Sequence, residues 1–330
     1  MNGSLFVSPS EPNEPVMNRA PQRFLLFFID GLGVGADDPA FNPLATGLFP
    51  TLALTEARVP ESEAGPPALA SGLDASLGVK GLPQSATGQT AILTGVNAPV
   101  ALGHHMSGFP GPTLRKILLE HSILKRVVAA GAEADFLNAF GPRFFERPEA
   151  ERRMSATTLA TLASGRPFRT WEDLVEGRAV VHDLTHWRMR EWGYDLPIRS
   201  PEEAGEILAR ESAARTFTLF EYFETDRAGH AQDRARALHC LEDLDRTLQT
   251  LLSNVDLDST TVAVVSDHGN LEDERVGTHT KNPAFFAAWG AGAERERAAG
   301  TAPESLTDIA EFVFRSLGLE DETTSGAPDS

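Results

Sequence analysis

The chain has 330 residues, a formal net charge of −18, 41% apolar and 23% charged residues, and one cysteine. The length supplies a core for one large domain or two ordinary ones, and the acidity argues against a nucleic-acid partner, whose phosphates call for basic surface. Cys240 alone excludes an internal disulfide or a cysteine-rich metal site, and no apolar run approaches the roughly 20 residues that span a bilayer, so a cytoplasmic protein without membrane contact is expected.

Residues 1–20, rich in Ser, Pro, Asn and Glu, have no basic start followed by an apolar block and read as a disordered lead rather than a signal peptide. The first strand, Phe24 to Ile29, ends on Asp30 and the turn Gly31-Leu32-Gly33-Val34-Gly35. Its spacing is G-x-G-x-G, not the dinucleotide-binding G-x-G-x-x-G, so a plain turn or a loop beside a metal is the better reading. Next, Gly81 to Ser85 forms a tight turn leading into a helix that runs to Thr94 and is closed by Gly95.

Residues 101–209 differ in character: a Gly/Pro/His-rich loop from Gly103 to Pro112, a helix-strand pair within Leu114 to Phe140, then Arg- and Trp-bearing segments to Pro197. They are expected to form an inserted cap, although the helix-strand pair fits the main sheet equally well. His104 and His105 in the loop are as readily solvated as ligating.

Thr216 to Phe223 is a second buried-strand candidate, ending on Glu224-Thr225-Asp226-Arg227-Ala228-Gly229-His230. Helical spacing follows from Ala231 to Leu252, with Leu238, Leu241, Leu244, Leu248 and Leu251 on one face. The run Thr260 to Val265 has no charged interruption, as expected of a strand covered on both faces, and exits onto Ser266-Asp267-His268-Gly269-Asn270. Thr278-His279-Thr280-Lys281-Asn282-Pro283 precedes a strand to Trp289, and a helix from Ser305 to Leu317 stops at Gly318, before a disordered tail over 319–330. Alternating strands and helices predict an α/β fold: a mostly parallel sheet with helices on both faces, its core formed by 21–100 and 210–318.

In such a sheet the carboxyl ends of the strands share one edge, which gathers Asp30, Asp226, His230, Asp267, His268 and His279. Mixed Asp and His donors suit Zn or Mn better than Ca or an iron–sulfur cluster. Six ligands exceed one tetrahedral site and fit two metals in one cleft, where such ions sit roughly 3.5–4 Å apart and clamp the attacking and leaving oxygens. Ser85 taken alone reads as a helix-capping serine. Beside this ligand set it reads as a hydroxyl activated by metal coordination, with the helix dipole facing a bound phosphate.

These residues resemble the alkaline phosphatase superfamily, with the greatest likeness to the branch of cofactor-independent phosphoglycerate mutase and phosphopentomutase. Asp267-His268-Gly269-Asn270-Leu271-Glu272 with His279-Thr280-Lys281-Asn282-Pro283 is similar to the matching stretch of the phosphoglycerate mutases. Ser85-Ala86-Thr87-Gly88-Gln89-Thr90-Ala91 through Thr94-Gly95 is similar to the superfamily's nucleophile helix, and Asp30-Gly31 also matches. The resemblance implies an alkaline phosphatase-like core with a mobile cap. It also implies one metal held by Asp226, His230 and His279, and a second held by Asp30, Asp267 and His268, with Ser85 as the residue phosphorylated. Gln84 stands where the mutases carry Asn or Asp, and the cap matches none of these enzymes clearly.

The expected activity is two-metal phosphoryl transfer from a small phosphomonoester, as phosphatase or phosphomutase, with Mn2+ or Zn2+ as cofactor. The alternatives are a phosphodiesterase of the same fold or a non-catalytic metal-binding homologue. Candidate substrate contacts are Lys281, Gln84, Arg188 and Arg190, a guanidinium fork being suited to phosphate oxygens. Oligomeric state is not set by any of these patterns.

Overall fold

The computed structural model describes residues 22–147 and 153–319. The expected disordered lead and, from residue 320, the expected tail lie outside the described residues. Six strands form one sheet: β1 Arg23–Ile29, β2 Leu69–Leu73, β3 Ala134–Phe136, β4 Phe217–Tyr222, β5 Thr260–Ser266 and β6 Ala284–Trp289, in the order β2-β6-β5-β1-β4-β3. Helices through the first half are α1 Ser85–Thr94, α2 Ala98–Leu102, α3 Pro112–His121, α4 Ile123–Ala129, α5 Pro142–Glu146 and α6 Ala156–Ser164. Later come α7 Trp171–Val175, α8 Trp187–Glu191, α9 Pro201–Ala213, α10 Glu224–Ala231, α11 Arg234–Asn254, α12 Ala291–Ala299 and α13 Asp308–Leu317.

β1 is central and pairs in parallel with β4 and β5, and β3 adds in parallel to β4. Its alternation is concealed in the sequence because both faces are apolar: Phe24, Leu26 and Phe28 enter one core, Leu25, Phe27 and Ile29 the other. The first core packs under α1, α4, α6 and α13; the second packs under α9 and α11. The expected α/β architecture with helices on both faces is therefore the one observed.

β6 runs antiparallel to β5, and the edge strand β2 antiparallel to β6. No crossover helix separates β5 from β6, so the chain re-enters the sheet at the edge where β5 left it. That return keeps the whole loop 267–283 on the carboxyl edge. β2 has no counterpart among the expected strands. Its Ser71-Gly72 centre breaks the apolar run, and cross-strand pairing with Phe285 and Phe286 of β6 supplies what local propensity lacks.

Much of the expected insertion belongs to the core: α4 and α6 cover the first core, and two more stretches join the sheet and its second face. β3 extends the sheet, and α9 packs on α11 through Ala204, Ile207 and Leu208. A capping box between Ser200 and Glu203 and Pro201 in the first turn start α9. Leu174, Val181, Met189 and Leu196 form a small core apart from these. The helix expected from Ala231 starts at Arg234: Ala231 ends α10, Gln232 turns left-handed at φ 51°, and Asp233 caps α11.

Candidate active site

Each candidate ligand sits where an element ends. Asp30 follows β1, and Asp267 and His268 follow β5, its parallel neighbour. Asp226 and His230 are four apart on α10 rather than in a loop, so both reach the same side. His279 arrives on the return loop.

The side chains converge. His268 Nε2 lies 3.2 Å from Asp30 Oδ1 and 3.6 Å from Asp267 Oδ2. His279 Nε2 lies 3.4 Å from Asp226 Oδ1 and 3.2 Å from His230 Nε2. The His268 and His279 rings stack at 3.7 Å and 16°. Two groups could each hold a cation: Asp226, His230 and His279, and Asp30, Asp226 and His268, with donor atoms in each within 4.8 Å of one another. Asp226 thus stands between the two, whereas Asp267 is set back, with Oδ1 accepting from Gly31 N–H at 3.3 Å.

All three histidines turn Nδ1 to a backbone carbonyl: His279 to Pro83 at 2.8 Å, His230 to Gly277 at 3.1 Å and His268 to Gly269 at 3.4 Å. A carbonyl only accepts, so each Nδ1 donates and each Nε2 faces the cluster, the orientation that metal-ligating histidines take. Gln89 donates to Asp30 Oδ2 at 3.1 Å, and Asn270 to Asp226 Oδ1 at 2.7 Å.

Burial raises the Asp30 carboxyl above the ordinary range, against the pull of His268, and raises Asp267 further, with the Asp30 charge adding. Burial also opposes the His268 imidazolium, yet Asp267 and Asp30 carry it to about 10. Asp226 goes the other way, to about 2, because the His279 hydrogen bond and His268 outweigh burial. One imidazolium does not neutralise Asp30, Asp226 and Asp267 together. Asp30 Oδ1 and Asp267 Oδ2 are buried and accept no hydrogen bond, a state that costs free energy without a cation. The donor set fits divalent Zn or Mn.

Ser85 is the first residue of α1, and Gln84, not Ser85, occupies the capping position without a side-chain bond to the helix. The Ser85 hydroxyl meets His268 Nε2 at 3.0 Å instead. The capping reading is therefore set aside by geometry. Ser85, Gln84, Asp30, Asp226, His230 and His279 line one cavity of about 920 Å³.

Three expected substrate contacts are placed elsewhere. Arg188 is buried and gives Nε and Nη2 to Glu224 Oε2 at 2.8 and 2.7 Å. Arg190 donates to the Leu196 carbonyl at 3.0 Å. Lys281 is exposed and lines a separate surface hollow with Lys80 and Pro83. Glu224 is fully buried, and Arg188 supplies the counter-charge without which a buried carboxylate is strongly destabilising. His104 and His105 bond to the carbonyls of Leu102 and Val79 and lie outside both metal-compatible groups.

Sequence reading passed over Gln89, four residues after Ser85 and so on its face, a spacing that was available as a signal. It also passed over Arg227, which lines the cavity, and the role of Glu272. Glu272 is fully buried and accepts from Gly33 N–H at 2.9 Å, Asn270 N–H at 2.7 Å, Thr280 Oγ1 at 2.5 Å and Asn282 Nδ2 at 3.0 Å. It ties the glycine turn after β1 to the loop carrying His268 and His279.

Comparison with known proteins agrees with this layout. The Metalloenzyme superfamily model matches residues 192–321, the part that carries Asp226, His230, Asp267, His268 and His279. Alkaline phosphatase from the Antarctic bacterium TAB5 superposes with a TM-score of 0.55 at 13% identity, over 92% of this chain and 99% of that one. The chain has an alkaline phosphatase fold. The cold-active alkaline phosphatase from Shewanella sp. superposes likewise, with a TM-score of 0.52 at 11% identity, over 89% of this chain and 99% of that chain. Over 131 residues the chain is 28% identical to the 2,3-bisphosphoglycerate-independent phosphoglycerate mutase of Mycoplasmopsis synoviae (strain 53), a stretch covering 38% of this chain and 25% of that relative. The resemblance read from the motifs is thus borne out, and it supports a metal-dependent enzyme. No helix among the described residues is long and apolar enough to cross a membrane.

Proposed function

We propose that the chain transfers a phosphoryl group from a small phosphomonoester through a phosphoserine on Ser85, as a phosphatase or a phosphomutase. The observation that carries this reading is the Ser85 hydroxyl, 3.0 Å from His268 Nε2 at the edge of two adjoining metal-compatible groups and inside the same cavity. Asp226, His230 and His279 would hold one cation, and Asp30 and His268 the other beside Ser85, with Asp226 between the two and the buried Asp267 carboxylate adjoining the second. Bound Mn2+ or Zn2+ would supply Lewis acidity, easing loss of the serine proton and offsetting phosphate charge.

The protein's own groups do the rest. No side chain caps the first turn of α1, and Thr87 N–H donates to the Met106 carbonyl at 3.3 Å, so the N–H groups of Ser85 and Ala86 and the helix dipole are left for phosphate oxygens. Gln89 fixes Asp30, and Asn270 fixes Asp226, so these carboxylates need little reorganisation on binding. Ser85 Oγ gives up its proton and bonds to phosphorus, the ester P–O bond breaks, and the departing oxygen takes the bonding pair and a proton. Water then cleaves the phosphoserine in a phosphatase, or a second substrate hydroxyl does so in a mutase.

Protein loaded with Mn2+ or Zn2+ and given sugar phosphates, phosphoglycerates and nucleotides is expected to release phosphate or form an isomeric product, with phosphate found on Ser85 by intact mass. Ser85→Ala is expected to remove both product and adduct while leaving metal content unchanged. Full turnover in Ser85→Ala would sink the assignment.

A further inference from the structure

The cavity beside Ser85 is much larger than phosphate requires. Its roughly 920 Å³ lies near the upper end of small-molecule pockets, roughly 300–1,000 Å³. The metal-compatible side chains occupy one part of the wall. Elsewhere the wall carries the rings of Phe109, Phe136, Phe140, Phe223 and His182, set among neutral polar groups such as Asn138, Ser155 and Thr158 and the buried carboxyl of Glu221.

These rings form ordered surfaces. His182 lies flat on Phe223, with ring centres 4.1 Å apart and an angle of 7°, and Trp192 stands behind it at 5.3 Å. Burial and the Arg227 charge depress His182 to about 3, so its ring is neutral and acts as an aromatic face. Phe140 is braced by Phe136, Phe144 and Phe168. Phe109 is half exposed, on the Gly/Pro-rich loop at the cavity rim.

Cationic groups are sparse there. Among the described residues lining the cavity, Arg227 is the one guanidinium; it lies over the Trp192 ring at 5.2 Å and 3.8 Å from Glu224. Arg153 lies over the Phe109 ring at 5.9 Å, and Arg188 is held by Glu224. A substrate with a carboxylate or second phosphate deep in this space would meet rings, neutral polar groups and the Glu221 carboxyl, with Arg227 as the one guanidinium to offset its desolvation cost.

We infer that the phosphomonoester carries an uncharged, planar or aromatic leaving group, seated between Phe109 and the His182–Phe223 pair. This rests on the phosphoryl-transfer reading above and specifies its substrate class. Aromatic pairing and ring burial supply affinity that a small aliphatic alcohol does not gain.

The test compares 2-phenylethyl phosphate, ethyl phosphate and 3-phosphoglycerate with the metal-loaded full chain. In parallel, calorimetry measures binding of 2-phenylethylphosphonate and ethylphosphonate, which are not hydrolysed. The phenyl compounds are expected to lead by about tenfold in kcat/KM and in affinity, the scale of burying part of a ring. Phe223→Leu and the rim variant Phe109→Ala, whose ring is half exposed, are expected to shrink that preference severalfold. Equal kcat/KM and affinity for the phenyl and ethyl pairs, a preference for 3-phosphoglycerate, or a preference untouched by both variants would overturn the inference. Selective phosphonate binding without ester turnover would uphold the aromatic site and count against the phosphoryl-transfer reading.

Discussion

Glu272 concentrates more structural responsibility than any single metal-compatible residue. Four donors from both sides of the cleft converge on its buried carboxylate. Removing it leaves them unsatisfied, so Glu272→Ala is expected to lower urea-unfolding stability by about 3 kcal/mol and to reduce metal stoichiometry. Unchanged stability with full metal binding would show that the carboxylate is dispensable. Glu221 makes a separate, pH-dependent prediction. Burial lifts its carboxyl to about 7, against the Thr157 hydrogen bond and with the Asp30 charge adding. The folded value lies above the ordinary 4.5, so its contribution is complete below that value and is lost as pH rises to about 7. In chelator-treated protein, Glu221→Gln should therefore add on the order of 2 kcal/mol at pH 8 and much less at pH 5. An equal effect at both pH values would mean that the group does not titrate there. Ligand identities were legible in the motifs, because Asp and His at strand exits are local signals. The binding of Arg188 to Glu224 was not, because which anion an arginine finds depends on folding.

Helix α1 joins the scale of the residue to that of the sheet. It passes so near the β5 exit that a methyl group on Gly88 would lie 2.8 Å from the Asp267 carbonyl oxygen and 2.9 Å from its Cβ. Gly88→Ala must push α1 outward and carry Ser85 away from His268, at a cost of about 2 kcal/mol. A fall of at least roughly tenfold in kcat is expected, on the principle that a misplacement near 1 Å is enough. Gly205 is the control at equal closeness: a Cβ there would meet the Thr247 carbonyl oxygen at 2.6 Å, where α9 packs on α11. Gly205→Ala is expected to destabilise by a similar amount with kcat intact, as read by paired unfolding and steady-state assays. A kcat loss in both variants would mean that activity follows general stability. The glycines stand in the sequence, but only the crossing of helix and strand shows that their lack of a side chain is used for close approach.

For the whole molecule, the cluster of Asp30, Asp226 and Asp267 makes stability depend on bound cation. A ligand that binds only the folded state at about 100 times its dissociation constant adds about 2.7 kcal/mol, so Mn2+ or Zn2+ should raise the melting temperature by several degrees over chelated protein. The two groups should also release metal unequally. The His230 side chain is 45% exposed, whereas those of His268 and Asp267 are 0% exposed. Stepwise chelation followed by metal analysis should show one fast and one slow ion, and His230→Ala should abolish the fast one alone. A single phase in both proteins would show that the groups bind one shared ion.

Taken by itself, the sequence determined the apolar strands, the residues at their exits, and Gly95 and Gly318 as helix stops, because hydrophobic pattern and backbone stereochemistry act over a few residues. It also determined the donor chemistry, since the chain contains one cysteine and concentrates Asp and His at three strand ends. Only the tertiary structure decided that β6 runs backwards, that β3 and α9 belong to the core rather than to a cap, that Asp226 stands between both metal-compatible groups, and that Ser85 faces His268 instead of capping its helix. These outcomes depend on contacts between residues far apart along the chain, such as the 183 positions between Ser85 and His268, and no local preference encodes which of several compatible partners will be met.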